Sequence, residues 1–95
     1  MSYFILDGHT PVAARDVLEW AKWFEDNDRR VAQTVLADGE VSTIFLGFDH
    51  TLFETLVFGG NLDGERERYA TWDDAAEGHE DIVRRVRQAG AEKAK

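Results

Sequence analysis

The stretch Leu36-Ala37-Asp38-Gly39-Glu40-Val41-Ser42-Thr43-Ile44-Phe45-Leu46-Gly47-Phe48 decides the fold. Its Asp38-Gly39 pair is a strong short-range hairpin signal, because a type I′ turn wants positive φ at both central residues. Arg29 to Leu36 alternates and is rich in β-formers, so it predicts a strand paired across that turn with Glu40–Phe48. Within the second strand, Val41, Thr43 and Phe45 fall on one face and Ile44, Leu46 and Phe48 on the other. Both faces are largely apolar, which predicts a central strand. Downstream, Phe48-Asp49-His50-Thr51 is a tight connection into Leu52–Phe58, and Gly59 to Gly64 is a turn. Glu65–Tyr69 reads as the last strand, where the alternating Glu65, Arg66, Glu67 and Arg68 suit a sheet edge.

Two helices flank these strands. Tyr3–Leu6 is a strand closing at Asp7-Gly8, and Thr10-Pro11 reads as the start of a helix, since proline lacks an N–H that would be unpaired there. Asp16 is a rival cap. Val17, Trp20, Ala21 and Phe24 follow at helical spacing, with Arg15, Glu19, Lys22, Glu25 and Asp26 opposite and Trp23 off the centre of the stripe. Thr71-Trp72-Asp73-Asp74 opens a second helix with Thr71 as its cap. That helix places Trp72, Ala75, Ala76, His79, Ile82, Val83 and Val86 on one face and pairs Glu80 with Arg84 and Asp81 with Arg85. Gly90 stops it, and residues 91–95 form a frayed tail. The predicted order is β-α-β-β-β-β-α: one α+β domain over residues 1–95, a small antiparallel meander of four to five strands packed against two helices.

Composition narrows the function. The 95 residues include 11 Lys+Arg against 19 Asp+Glu, for a net charge of −8, with 43% apolar and 12% aromatic residues. That apolar content is too high for a disordered acidic chain. The absence of cysteine removes disulfides, thiolate metal ligands and cysteine nucleophiles. No basic leader precedes the first apolar run, and no run approaches the roughly 20 residues of a membrane span. The expectation is a cytoplasmic protein with no membrane partner. Residues 1–64 hold four basic and 11 acidic groups, which argues against direct binding of nucleic acid, where clustered Lys and Arg are needed.

The only ingredients for acid–base or metal chemistry are Asp7, His9, Asp49, His50 and His79. Asp7 to His9 and Asp49-His50 sit at turns, where functional groups are often presented. Two histidines and a carboxylate suit a divalent transition metal. No His-Glu-x-x-His or other strong spacing is present, and turn aspartates commonly bond their own backbone. His79, on the apolar face of the last helix, reads as a core histidine bonded to a carbonyl or hydroxyl, and Gly78 as a point of close backbone approach. The Gly59-Gly60 and Gly64 cluster lacks the Lys-Ser/Thr of a phosphate loop and reads as a turn. Ser2 and Ser42 lack the glycines of a nucleophile elbow. No catalytic residue, metal or cofactor is assigned. Trp23, if its flank is exposed, is a candidate interface anchor. Glu19, Glu25, Asp26, Asp28, Asp38 and Glu40 are candidate partner-binding acids, and such a surface could imitate the phosphates of DNA.

Several segments together resemble a family of short proteins encoded by tailed phages and prophages. They are Ile5 to Val12 (ILDGHTPV), Leu18 to Glu25 (LEWAKWFE), Val41 to His50 (VSTIFLGFDH), Leu52 to Gly60 (LFETLVFGG), Tyr69 to Trp72 and Gly78-His79. Similar sequences carry a longer Gly/Pro-rich insertion after the Asp-His pair, whereas here Asp49-His50 runs almost directly into Leu52-Phe53. The resemblance implies a setting and no reaction: a non-enzymatic accessory protein in the host cytoplasm. Such a protein would bind a host protein, within a nucleic-acid-handling complex, as an inhibitor of a host defence nuclease complex of the anti-CRISPR kind. Two alternatives stay open. One is a small-ligand or metal-dependent module at the Asp/His turns. The other is a homo-oligomeric virion or assembly component, a homodimer built on the last strand and the Trp23 flank.

Overall fold

Alternation along Glu40–Phe48 sets the architecture. Val41, Thr43, Phe45 and Gly47 are buried, while Glu40, Ser42, Ile44, Leu46 and Phe48 are only half-buried, so one face of this strand is covered far better than the other. The computed structural model describes residues 2–94, with side chains through Ala91. Its elements are β1 (Phe4–Asp7), β2 (Thr10–Ala13), α1 (Val17–Asp26), β3 (Arg30–Val35), β4 (Glu40–Phe48), β5 (Thr51–Phe58), β6 (Arg66–Tyr69) and α2 (Trp72–Ala94). The expected α+β meander is present: β3-β4-β5-β6 form a four-stranded antiparallel sheet in sequence order, packed against helices.

The N-terminal reading needs correction. Thr10-Pro11 does not start a helix; it belongs to β2, which pairs with β1 as a separate two-stranded sheet, with Leu6 opposite Pro11. Pro11 is tolerated because a two-stranded ribbon has edges on both sides, where a missing N–H breaks no ladder. The first true helix starts at the rival cap, and Asp16 Oδ1 accepts from the Glu19 N–H at 2.9 Å. β1 is tied to the main sheet through the β4–β5 turn, where Ser2 N–H donates to Asp49 Oδ1 at 2.9 Å and Asp49 N–H to Ser2 O at 2.8 Å.

The β3–β4 turn also differs from its expected type. Leu36 N–H donates to Gly39 O at 2.7 Å, so the two-residue loop is Ala37-Asp38, and neither residue nor Gly39 has positive φ. Gly39 is needed for a different reason: a Cβ there would lie 2.6 Å from Phe58 O on the neighbouring strand. The β4–β5 turn does use the left-handed region, at a non-glycine residue, with Asp49 at φ 50.

Two apolar clusters fill the space between the sheet and the helices. Val41, Val57, Ile82, Val83 and Val86 form one, and Phe45, Phe53 and Ala75 form the other, with Trp23, Phe24 and Trp72 packed against it. Burying side chains of this size stabilises by about 1.5–3 kcal/mol each. α2 supplies the first cluster along the face its periodicity predicts, and Thr71 Oγ1 accepts from the Asp74 N–H at 3.1 Å as the cap. Gly90 does not stop the helix, which continues to Ala94, and Lys95 lies outside the described residues. The surface pairs of α2 also differ from expectation. Arg84 bonds Asp81, and Arg85 reaches Glu65 at 2.9 Å rather than Asp81.

α1 packs on the aromatic half of its expected stripe, Trp20 and Phe24, joined by Trp23. Trp20 donates from Nε1 to Leu46 O at 3.1 Å and lies 4.4 Å from the Phe24 ring, while Val17 and Ala21 are exposed. The molecule is elongated, measuring 53 × 22 × 21 Å. No helix among the described residues is long and apolar enough to cross a membrane.

Candidate interaction surface

The histidines and turn aspartates occupy separate places. His79 is fully buried between α2 and the sheet, with Nε2 2.9 Å from Thr34 Oγ1 and Nδ1 2.7 Å from Thr43 Oγ1. Thr43 Oγ1 in turn meets Thr55 Oγ1 at 2.5 Å, so a row of polar groups runs across the core between the two apolar clusters. Burial pushes the imidazole below its ordinary pKa, opposed by nearby Glu80. Its surroundings are those of a satisfied core residue. Gly78, beside it, admits a ring rather than a backbone: a Cβ there would lie 2.3 Å from the Tyr69 ring.

His9 lies flat on Trp72, with ring centroids 3.7 Å apart and planes at 3°. The stack pins the tip of the β1–β2 ribbon to the start of α2, and Asp7 is exposed at the same tip. Asp49 is engaged with Ser2 at the opposite end of β1, and His50 is exposed beside it. The length of β1 separates the two turns, about 13 Å for its four residues. Among the described residues, no group of three or more His, Asp or Glu side chains is placed to hold a metal ion.

Most of the candidate acids already have partners within the chain. Glu19 accepts from Arg15 Nε at 2.7 Å, Asp26 lies 3.4 Å from Lys22 Nζ, and Asp28 takes Arg30 at 2.9 Å. Hydrogen bonds from the Arg30 side chain and backbone hold the Asp28 carboxyl down to about 2. Glu40 accepts from Gln33 Nε2. Glu25 and Asp38 are exposed and make no ion pair among the described residues. Trp23 is half-buried and edge-on to Phe45 at 5.6 Å, so its ring packs inward instead of standing free.

The exposed apolar groups lie elsewhere. Leu18 is 76% exposed and Val17 45% exposed on α1; Val35 is 76% and Phe58 48% exposed on the sheet. Leu18, Ala21, Lys22 and Glu25, spaced i, i+3, i+4, i+7, form the outward stripe of α1. Val35, Glu40 and Phe58 stand side by side across β3, β4 and β5 on the face away from α2. The signal for Leu18 was present in the sequence: it is a large apolar residue outside the stripe that carries Trp20 and Phe24. No family model, curated protein or solved structure matches this chain.

Proposed function

We propose that this chain is a non-enzymatic binding protein that engages a basic host protein through the outward stripe of α1. Leu18 is the apolar anchor, and Glu25, exposed and unpaired among the described residues, is the acid beside it. The observation that carries the reading is the exposure of Leu18 on a helix that has no fully buried residue, in a chain of net charge −8. An anchor of this kind buries apolar area at the centre of a contact, while surrounding charge sets orientation and speeds encounter. A negative field selects positively charged partners, a class that includes proteins that handle nucleic acid. The resemblance to short phage proteins supplies the setting: the host cytoplasm, with a defence nuclease complex as the target.

The test is affinity capture from host lysate with the wild-type chain and with Leu18→Asp. The expected result is a basic host protein, released by added salt and lost with Leu18→Asp while the fold is retained. Recovery of the bait alone, or of the same protein with both baits, overturns the reading.

A further inference from the structure

The face of the main sheet away from α2 ends in a row of three side chains. Val35 on β3 is paired with Glu40 on β4, and Glu40 with Phe58 on β5. Residues directly opposite in an antiparallel ladder share one side of the sheet, with Cβ atoms about 4.5–5.5 Å apart. Val41 and Val57, the neighbours of Glu40 and Phe58 along their strands, point the other way into the cluster with α2. Val35 and Phe58 are exposed, and Glu40 is half-buried between them.

The carboxylate in the middle has no counter-charge. Glu40 Oε1 accepts from Gln33 Nε2, an uncharged donor, and Oε2 has no hydrogen bond among the described residues. No ion pair among the described residues includes Glu40. The cations on this face are held elsewhere: Arg30 by Asp28 at 2.9 Å, and Arg66 and Arg68 by Glu54 at 3.6 and 3.2 Å. Among the described residues, the Phe58 ring stacks on no other ring and carries no cation.

A lone carboxylate between two exposed apolar groups has a specific complement. A purely apolar partner would strip water from Glu40 and offer its charge nothing in return, which is costly. A lysine ammonium is a compact, strongly hydrated charge. An arginine meets all three side chains at once: its guanidinium donates to Glu40 and lies flat on the Phe58 ring, while its alkyl stem covers Val35. The chain makes the same contact internally, where the Arg29 guanidinium sits 5.0 Å from the centre of the Phe24 ring. The net charge of −8 draws such a cation in.

We infer that the Val35–Glu40–Phe58 row is a binding site for an arginine side chain of a partner protein. It shares no residue with the α1 stripe, so it stands or falls separately from the proposed function.

Titration of the isotope-labelled chain with N-acetyl-arginine amide, followed by NMR, tests this, with the lysine and leucine amides as rivals. Saturable shifts are expected at the Gln33, Val35, Glu40 and Phe58 amides. Lysine amide should bind more weakly by about threefold or more, because its head cannot lie flat on the ring. Glu40→Gln and Phe58→Leu should each weaken arginine binding by about threefold or more. Glu67→Gln, which removes the same charge from the edge of β6, should leave it unchanged, and circular dichroism confirms that each variant is folded. Shifts spread evenly over the acidic surface overturn the inference, as does arginine binding that survives Glu40→Gln. Leucine amide bound as tightly as arginine amide would mark a purely apolar docking face. A wild-type dimer abolished by Phe58→Leu would give the face to a second copy. Either result overturns the inference as well.

Discussion

His79 Nδ1 lies 2.7 Å from Thr43 Oγ1 with both residues fully buried, so the centre of this small core is a hydrogen bond rather than an apolar contact. Thr34 and Thr55 extend the pair into a row that crosses the sheet. The row fixes which residues of β3, β4, β5 and α2 meet, because a shift of register would leave hydroxyls buried and unbonded. Leaving such a group unpaired costs about 1–3 kcal/mol.

Stability should therefore depend on pH through His79. Burial lowers its pKa in the folded chain below the ordinary 6.5, so the unfolded chain takes up the proton first. The contribution is complete above about pH 6.5 and is lost as pH falls below it, by up to about 1.4 kcal/mol per unit until the folded-state pKa is reached. Urea unfolding from pH 8 to pH 5 checks this, and the pH dependence attributable to this residue should vanish in His79→Gln.

Truncating the ring should be severe. His79→Ala removes a buried side chain and orphans the Thr34 and Thr43 hydroxyls, at a cost of about 2–5 kcal/mol. Thr34→Val, which takes away one hydroxyl at a half-buried site, should cost about 1 kcal/mol. Chemical denaturation of the two variants should rank them in that order.

Gly78→Ala places a methyl 2.3 Å from the Tyr69 ring. Overpacking of this kind costs about 1–3 kcal/mol. Adding Tyr69→Leu to Gly78→Ala should recover part of the loss in a thermal melt, because a smaller side chain vacates the space; a double variant no better than additive would rule out this contact as the cause.

His9→Ala removes the stack on Trp72 and should loosen the β1–β2 ribbon more than the main sheet. Aromatic pairs contribute about 0.5–1.5 kcal/mol beyond the area they bury. Hydrogen exchange should accelerate at the Ile5 and Asp7 amides and remain slow along β4. The indole fluorescence of Trp72 should change in the same variant.

How much of this was legible in the sequence varies along the chain. The β3–β4–β5–β6 order followed from alternation and turn residues, and His79 followed from the apolar face of α2. Those features depend on neighbours close in sequence. The ribbon did not, because Pro11 suits a helix start as well as a ribbon strand, and only the pairing of Leu6 with Pro11 separates the two. The face of α1 was legible at Trp20 and Phe24 but not at Val17, Ala21 and Trp23, because its docking is set by where Phe45 and Leu46 lie, on another element. Trp20, Trp23 and Phe24 reach them at the expense of a regular stripe. Gly90 resembled a stop, yet the helix passes through it: a Cβ there would lie 3.2 Å from Asp38 Oδ2, a neighbour that only the tertiary structure supplies. The candidate acids were visible as residues, but not their arginine and lysine partners.

The most direct measurement places a photo-crosslinking amino acid at position 18 and irradiates host cells that carry the chain. The account predicts one dominant adduct whose added mass belongs to a basic host protein, absent when the same probe replaces Glu67 on the charged edge of β6. A folded chain that yields no adduct from position 18, or equal adducts from both positions, would contradict it.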